Sequence, residues 1–168
     1  PELRGRLAFV QVAVPSRGEV REYRALREEV ERTVGRINGR FTEPGRDVPI
    51  YYLYRGVPRE RLFAYYRLAD VCLVTPLRDG MNLVAMEFVT AQAAGGEDGV
   101  LVLSEFTGAA MELGEALPCN PYDMEGVSAT VELALALDPE DRRRRITTMA
   151  RRVAEHDVHW WADTELAA

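Results

Sequence analysis

Val71 to Ala93 reads VCLVTP, then LRDGMN, then LVAMEFVTAQA. The first piece is a continuous apolar run ending at Thr75 and Pro76, the pattern of a fully buried parallel strand. The last is apolar on almost every side, which predicts a helix buried within a domain. Between them lie Arg78, Asp79 and Gly80, and then Asn82, a favourable helix N-cap. A helix that opens just past the carboxyl end of a strand aims unpaired N–H groups and a positive dipole end into a crevice, an arrangement suited to phosphate. Asp79-Gly80 can equally be an ordinary turn pair. Glu87 interrupts the apolar helix one turn beyond its start, and a carboxylate there needs a partner. An arginine or the hydroxyls of a ligand would serve.

Leu7–Val14 has the β-branched and aromatic content of a strand. From Glu19 to Phe41 the apolar positions Tyr23, Leu26, Val30, Val34, Ile37 and Phe41 step by three or four, one stripe of a long amphipathic helix, with Gly39 as its C-terminal stop and the GRFTEPGRD loop after it. Glu28 and Arg32 are spaced for an i,i+4 pair on its outer face. Pro49–Leu53 is a second strand, and Pro58 introduces a helix at Arg61–Ala69 whose apolar residues are Leu62, Phe63, Tyr66 and Leu68. Gly95–Gly99 reads as a flexible link to a strand at Val100–Ser104, and Thr107 as the cap of the helix after it. Ala116–Cys119 is a short strand followed by a turn at Asn120–Asp123. Asp123 caps a helix at Met124–Ala136, and Asp138 with Pro139 opens the next.

Strands alternating with helices predict an α/β fold, a Rossmann-like, doubly wound parallel sheet. Ligands bind such sheets at the carboxyl ends of the strands, so the loops after Leu53, Pro76 and Ser104 should share one edge. A chain of 168 residues, 47% of them apolar, suits one cored domain over residues 1–168, with a terminal helical segment at about 139–168. The formal charge of −6 leaves no footprint for nucleic acid, and no apolar run reaches a membrane span. Cys72 and Cys119 read as buried, reduced thiols of a cytoplasmic protein. Arg142–Arg145 follows two acids at a helix start and reads as a solvated face. His156 and His159 can share a helix face but lack a third ligand, so no metal site is expected. Trp160 and Trp161 should dock the terminal helix. The first residue is Pro1, and the chain reads as a piece of a longer protein.

The run TPLRDGMNLVAMEFVTAQ (75–92) resembles the signature of the trehalose-6-phosphate synthases, retaining glycosyltransferases built from two Rossmann-like domains. FVQVAVPSRGEVREYRALREEVERTVGRING, PIYYLYRGVPRERLFAYYRLADVCLVTP, VLSEFTGAAMEL and ALPCNPYD follow the same family in the same order and cover nearly the whole chain. The resemblance implies the C-terminal half of a GT-B glycosyltransferase, with the N-terminal acceptor domain absent. This half would hold UDP-glucose or a related nucleotide sugar. The other half would supply most of the pocket for glucose 6-phosphate, and the product would be trehalose 6-phosphate, made without a metal or other cofactor.

Residue by residue, the resemblance gives Leu83 and Val84 backbone N–H groups for the diphosphate. It gives Asp79 the donor glucose hydroxyls, as the catalytic residue, and Gly80, Met81 and Asn82 backbone contacts to that sugar. Glu87 would take both ribose hydroxyls, and Val57 would meet the base through its backbone. Met86 stands where the family has Lys and reads as a surface or packing change. The family's diphosphate-neutralising Arg and Lys would lie before Pro1, so the chain alone should be inactive. The resemblance leaves open a homo-oligomer of the full-length protein. It also leaves open a sister transferase, such as a glucosylglycerol-phosphate synthase or a cyclitol pseudo-glycosyltransferase, or a non-catalytic regulatory or interaction domain. A dehydrogenase-type domain fits poorly, since no G-x-G-x-x-G follows a predicted strand.

Overall fold

A computed structural model describes Leu3 and residues 5–15 and 21–156. The chain divides between Pro58 and Arg59 into two compact units. The first contains β1 (Phe9–Val12), α1 (Arg21–Phe41) and β2 (Ile50–Leu53). Its strands pair in parallel, Phe9 opposite Ile50 and Val12 opposite Leu53, so α1 is the crossover that a parallel pair requires. Val30, Thr33, Val34, Ile37 and Asn38 are the partly buried positions of α1. The Asn38 side chain accepts from Ile50 N at 3.0 Å and donates to Ile50 O at 2.9 Å, fastening the helix to the start of β2.

The second unit contains α2 (Arg59–Leu68), β3 (Val71–Val74), α3 (Leu83–Gly95), β4 (Val100–Ser104), α4 (Ala109–Glu112), β5 (Leu117–Cys119), α5 (Met124–Ala136) and α6 (Pro139–Glu155). Its three strands are parallel in the order β3-β4-β5, with Val71 opposite Val100 and Val102 opposite Leu117. β4 is central and buried throughout, and its side chains alternate between two cores as a strand's two-residue period demands. Leu101 and Leu103 pack with Phe88 and Val89 of α3 and with Ile146 and Met149 of α6. Val100 and Val102 pack with Leu117, Cys119 and Ala134 of α5 on the opposite face. Helices therefore cover both faces, the doubly wound arrangement of an α/β fold. Phe88 is fully buried, and a side chain of that size contributes about 1.5–3 kcal/mol by leaving water.

Three helix starts follow the sequence signals directly. Asn82 accepts from Ala85 N, Asp123 from Gly126 N and Asp138 from Glu140 N, with Pro139 in the first turn. Elsewhere the structure corrects the reading. α1 runs through Gly39 to Phe41, and its Tyr23 and Leu26 are exposed. The ion pair along it joins Arg27 to Glu31 at 2.7 Å instead of Glu28 to Arg32. Leu68 is exposed at the end of α2. In β3 only Val74 is buried, and Val71, Cys72 and Leu73 are half-buried because β3 is an outer strand of its sheet. Gly95–Gly99 is an ordered turn: Gly96 takes the left-handed conformation at φ 73°, and Gly99 N donates to the buried Gln92 side chain at 2.8 Å.

The Arg142–Arg145 run is more than a solvated face. Arg145 donates to Glu115 O at 2.8 Å, and Arg142 is mostly buried, 3.9 Å from Asp70. α6 ends at Glu155, and His156 closes it, its Nδ1 2.6 Å from Glu112. The expectations for His159, Trp160 and Trp161 lie outside the described residues. Cys72 and Cys119 are free thiols. Burial pushes the Cys72 thiol up to about 12, so it is protonated and unreactive near neutral pH. No helix among the described residues is long and apolar enough to cross a membrane.

Candidate functional site

The loops that follow β3 and β4 are locked together. Ser104, fully buried at the end of β4, donates its hydroxyl to Pro76 O at 2.8 Å and accepts from Phe106 N at 3.2 Å. Asp79 N donates to Phe106 O, and Asp79 O accepts from Gly108 N, each at 3.2 Å. Gly80 O accepts from Ala109 N at 3.2 Å and from the Thr107 hydroxyl at 3.3 Å. Asp79 and Thr107 thereby form a parallel bridge beyond the ends of the strands. A side chain at Gly108 would put its Cβ 2.7 Å from Gly80 O, so this approach requires glycine. Thr107 also accepts from Ala109 N at 3.3 Å, the capping contact expected of it, although the turn places Gly108 directly before α4.

On this frame the DGMN segment is fixed at both ends. Asn82 donates from Nδ2 to Asp79 Oδ2 at 2.8 Å and accepts at Oδ1 from Ala85 N at 3.0 Å. One amide thus orients the Asp79 carboxylate and caps α3, and its two partners fix which end donates. The first backbone bond back to the cap comes from Met86 N to Asn82 O at 3.4 Å. Leu83 and Val84 precede it in the first turn, where N–H groups have no partner within the helix. Their side chains and that of Met81 are exposed. Gly80 is exposed too, and a Cβ there would meet nothing within 4 Å. Met86 is partly buried and packs against the core, in keeping with a packing role.

Glu87 is half-buried, and its partner within the chain is a tyrosine instead of an arginine: Tyr66 of α2 donates its hydroxyl to Glu87 Oε2 at 3.2 Å. Tyr66 is 8% exposed. Burial first, and then the neighbouring Glu87 charge, hold its pKa far above the ordinary tyrosine value, so it stays a donor. No group of His, Cys, Asp and Glu among the described residues is arranged to hold a metal ion. Val57 is half-buried in the first unit, next to the exposed Gly56 and Pro58. The structure therefore brings Asp79, Gly80, Met81, Asn82, Leu83, Val84 and Glu87 together along one loop and one helix start. The Ser104–Gly108 segment that positions them is the loop expected at this edge after Ser104, but its hydrogen bonds to the DGMN loop had no signal in the sequence beyond the prospective cap at Thr107.

The model of glycosyltransferase family 20 matches residues 1–168. The chain belongs to glycosyltransferase family 20. Among the family's curated members, the trehalose-6-phosphate synthase of Mycolicibacterium vanbaalenii is 54% identical over 160 residues, 95% of this chain and 32% of that relative. The corresponding protein of Mycobacterium leprae is 52% identical over the same shares. Among solved structures, a UDP-forming alpha,alpha-trehalose-phosphate synthase from Burkholderia xenovorans in complex with glucose-6-phosphate has a TM-score of 0.89 at 40% identity, over 99% of this chain and 36% of that one. An Escherichia coli structure bound with UDP-2-fluoro glucose has a TM-score of 0.91 at 41% identity, over 99% and 37%. Solved trehalose-phosphate synthases of this kind are GT-B glycosyltransferases, and the likeness over 99% of this chain gives its parallel α/β units the same architecture. The chain spans about a third of the length of the curated relatives that it matches.

Proposed function

We propose that this chain supplies the donor half-site of a retaining hexosyltransferase that makes trehalose 6-phosphate from UDP-glucose, or a related nucleotide glucose, and glucose 6-phosphate. The reading rests on the capped start of α3, where Asp79, the open Leu83 and Val84 N–H groups and Glu87 lie within one loop and two helical turns. The Leu83 and Val84 N–H groups donate to the departing diphosphate and stabilise its charge, fixed dipoles that need not reorganise as the bond breaks. No metal is required for that step. Asp79 keeps Oδ1 for the donor sugar's hydroxyls while Asn82 holds Oδ2, and its charge favours the oxocarbenium-like carbon as it develops. Glu87 holds ribose. The backbone of Gly80, Met81 and Asn82 carries the sugar, and the acceptor pocket comes mostly from the part of the relatives that this chain does not cover.

Titration calorimetry with UDP, in the presence and absence of EDTA, tests the reading. The chain should bind UDP weakly and equally in both, and Glu87→Ala should weaken binding by about 1.5–3 kcal/mol, the range for hydrogen bonds to a charged group. Strict dependence on magnesium would overturn the metal-free mechanism.

A further inference from the structure

Building on the donor-site reading above, we infer that Tyr66 is a positioning residue for nucleotide ribose, holding the Glu87 carboxylate in the one orientation that leaves Oε1 to the sugar. The contact runs between helices: Tyr66 Oη lies 3.2 Å from Glu87 Oε2, and the two residues are far apart in the chain. An unanchored glutamate explores several rotamers, and a ligand must stop that motion at its own cost. Tyr66 has already stopped it. A carboxylate has about four lone-pair sites, so one bond from tyrosine leaves room for two ribose hydroxyls.

The tyrosine is itself held on three sides. Its ring meets Phe63 edge-on at 5.9 Å and Phe88 edge-on at 6.4 Å. Its carbonyl accepts from the buried Gln92 amide at 2.6 Å, and the same nitrogen donates to Ala69 O at 3.0 Å. Gln92 lies on α3 with Glu87, so the amide that fixes the end of α2 and the carboxylate that Tyr66 reaches belong to one helix. The grip stands on packed helices, where a position is kept better than on a loop. Burial of the hydroxyl keeps it protonated, so its one hydrogen is always available to Glu87.

Tyr66→Phe keeps both ring contacts and removes only the hydroxyl, and Glu87→Gln and the double variant complete a cycle. Calorimetry on the 168-residue chain compares UDP with 2′,3′-dideoxyuridine diphosphate, which lacks both ribose hydroxyls. Tyr66→Phe should weaken UDP binding about three- to tenfold and leave the dideoxy nucleotide unchanged. On the Glu87→Gln background it should have no further effect. Thermal melts of each variant report folding separately. An equal loss for both nucleotides would make Tyr66 merely structural and overturn the inference, as would an unchanged affinity for UDP. Absence of UDP binding by the unmodified chain would overturn the donor reading and this inference with it.

Discussion

Gly80→Ala separates the two reasons for a glycine in the DGMN loop. A Cβ at Gly80 meets nothing within 4 Å, and Gly80 is not among the residues with positive φ. The folded chain should therefore accept alanine without strain. The unfolded chain loses backbone freedom, which stabilises the fold by about 0.4–1 kcal/mol. For a chain of this size that raises Tm by about 1–4 °C. The donor sugar is proposed to lie against this same backbone, and a methyl group inserted into a packed contact costs about 1–3 kcal/mol. Affinity for UDP-glucose should fall roughly five- to 150-fold, while UDP, which lacks the sugar, should change by less than about twofold. Differential scanning calorimetry and titration of both ligands give the two numbers. A fall in Tm of several degrees would show that glycine serves the fold, and equal losses for UDP and UDP-glucose would place the sugar elsewhere.

Asp79→Asn in a full-length parent should lower kcat by roughly ten- to a thousandfold with little change in donor KM, because it removes charge beside a developing cation. Glu87→Gln should mainly raise donor KM, since ribose does not change during the reaction, and steady-state kinetics of the pair would show whether the two carboxylates differ as proposed. Asn82→Ala removes the cap of α3 and should cost about 1 kcal/mol, read as a shift of the urea midpoint. It should weaken donor binding as well, because Asp79 loses its anchor. Glu115 is held below the usual carboxylate range by its hydrogen bond from Arg152. A depressed pKa in the folded state gives stability that is complete above the ordinary carboxylate range and is lost as pH falls from there through the lower folded value. Arg152→Gln should therefore flatten the acid side of the pH–stability curve, measured by urea melts from about pH 6 downward.

Much of the second unit could be read from local signals. Asn82, Asp123 and Asp138 each accept a backbone bond within the next three residues, so the starts of α3, α5 and α6 were written in adjacent positions. The bounds of β4 followed from its unbroken apolar run, which a central strand covered on both faces requires. Gly39 misled because the end of α1 is set by a contact: Asn38 reaches Ile50, so the helix continues past a residue of low propensity. Glu28 and Arg32 had the favourable spacing, but on an exposed face such pairs are worth a few tenths of a kcal/mol, and Arg27 with Glu31 formed instead. At the site, the DGMN loop and Glu87 were legible as residue types. What holds them was not, because Ser104, Thr107, Gly108 and Tyr66 act across distances in sequence that no periodicity encodes.

Gln92 has one further consequence. Its oxygen accepts from the Gly99 amide while its nitrogen donates to Tyr66 O and Ala69 O, the bonds to Gly99 and Tyr66 being buried. The Gly99 proton exchanges with deuterium when its bond to Gln92 opens, and parting of α3 from the end of α2 is one motion that opens it, because the same side chain spans the two. A single amide in the turn before β4 is thus tied, through one side chain, to the helix pair that carries Tyr66 and Glu87. A nucleotide that steadies this helix pair should slow exchange at Gly99 without touching it.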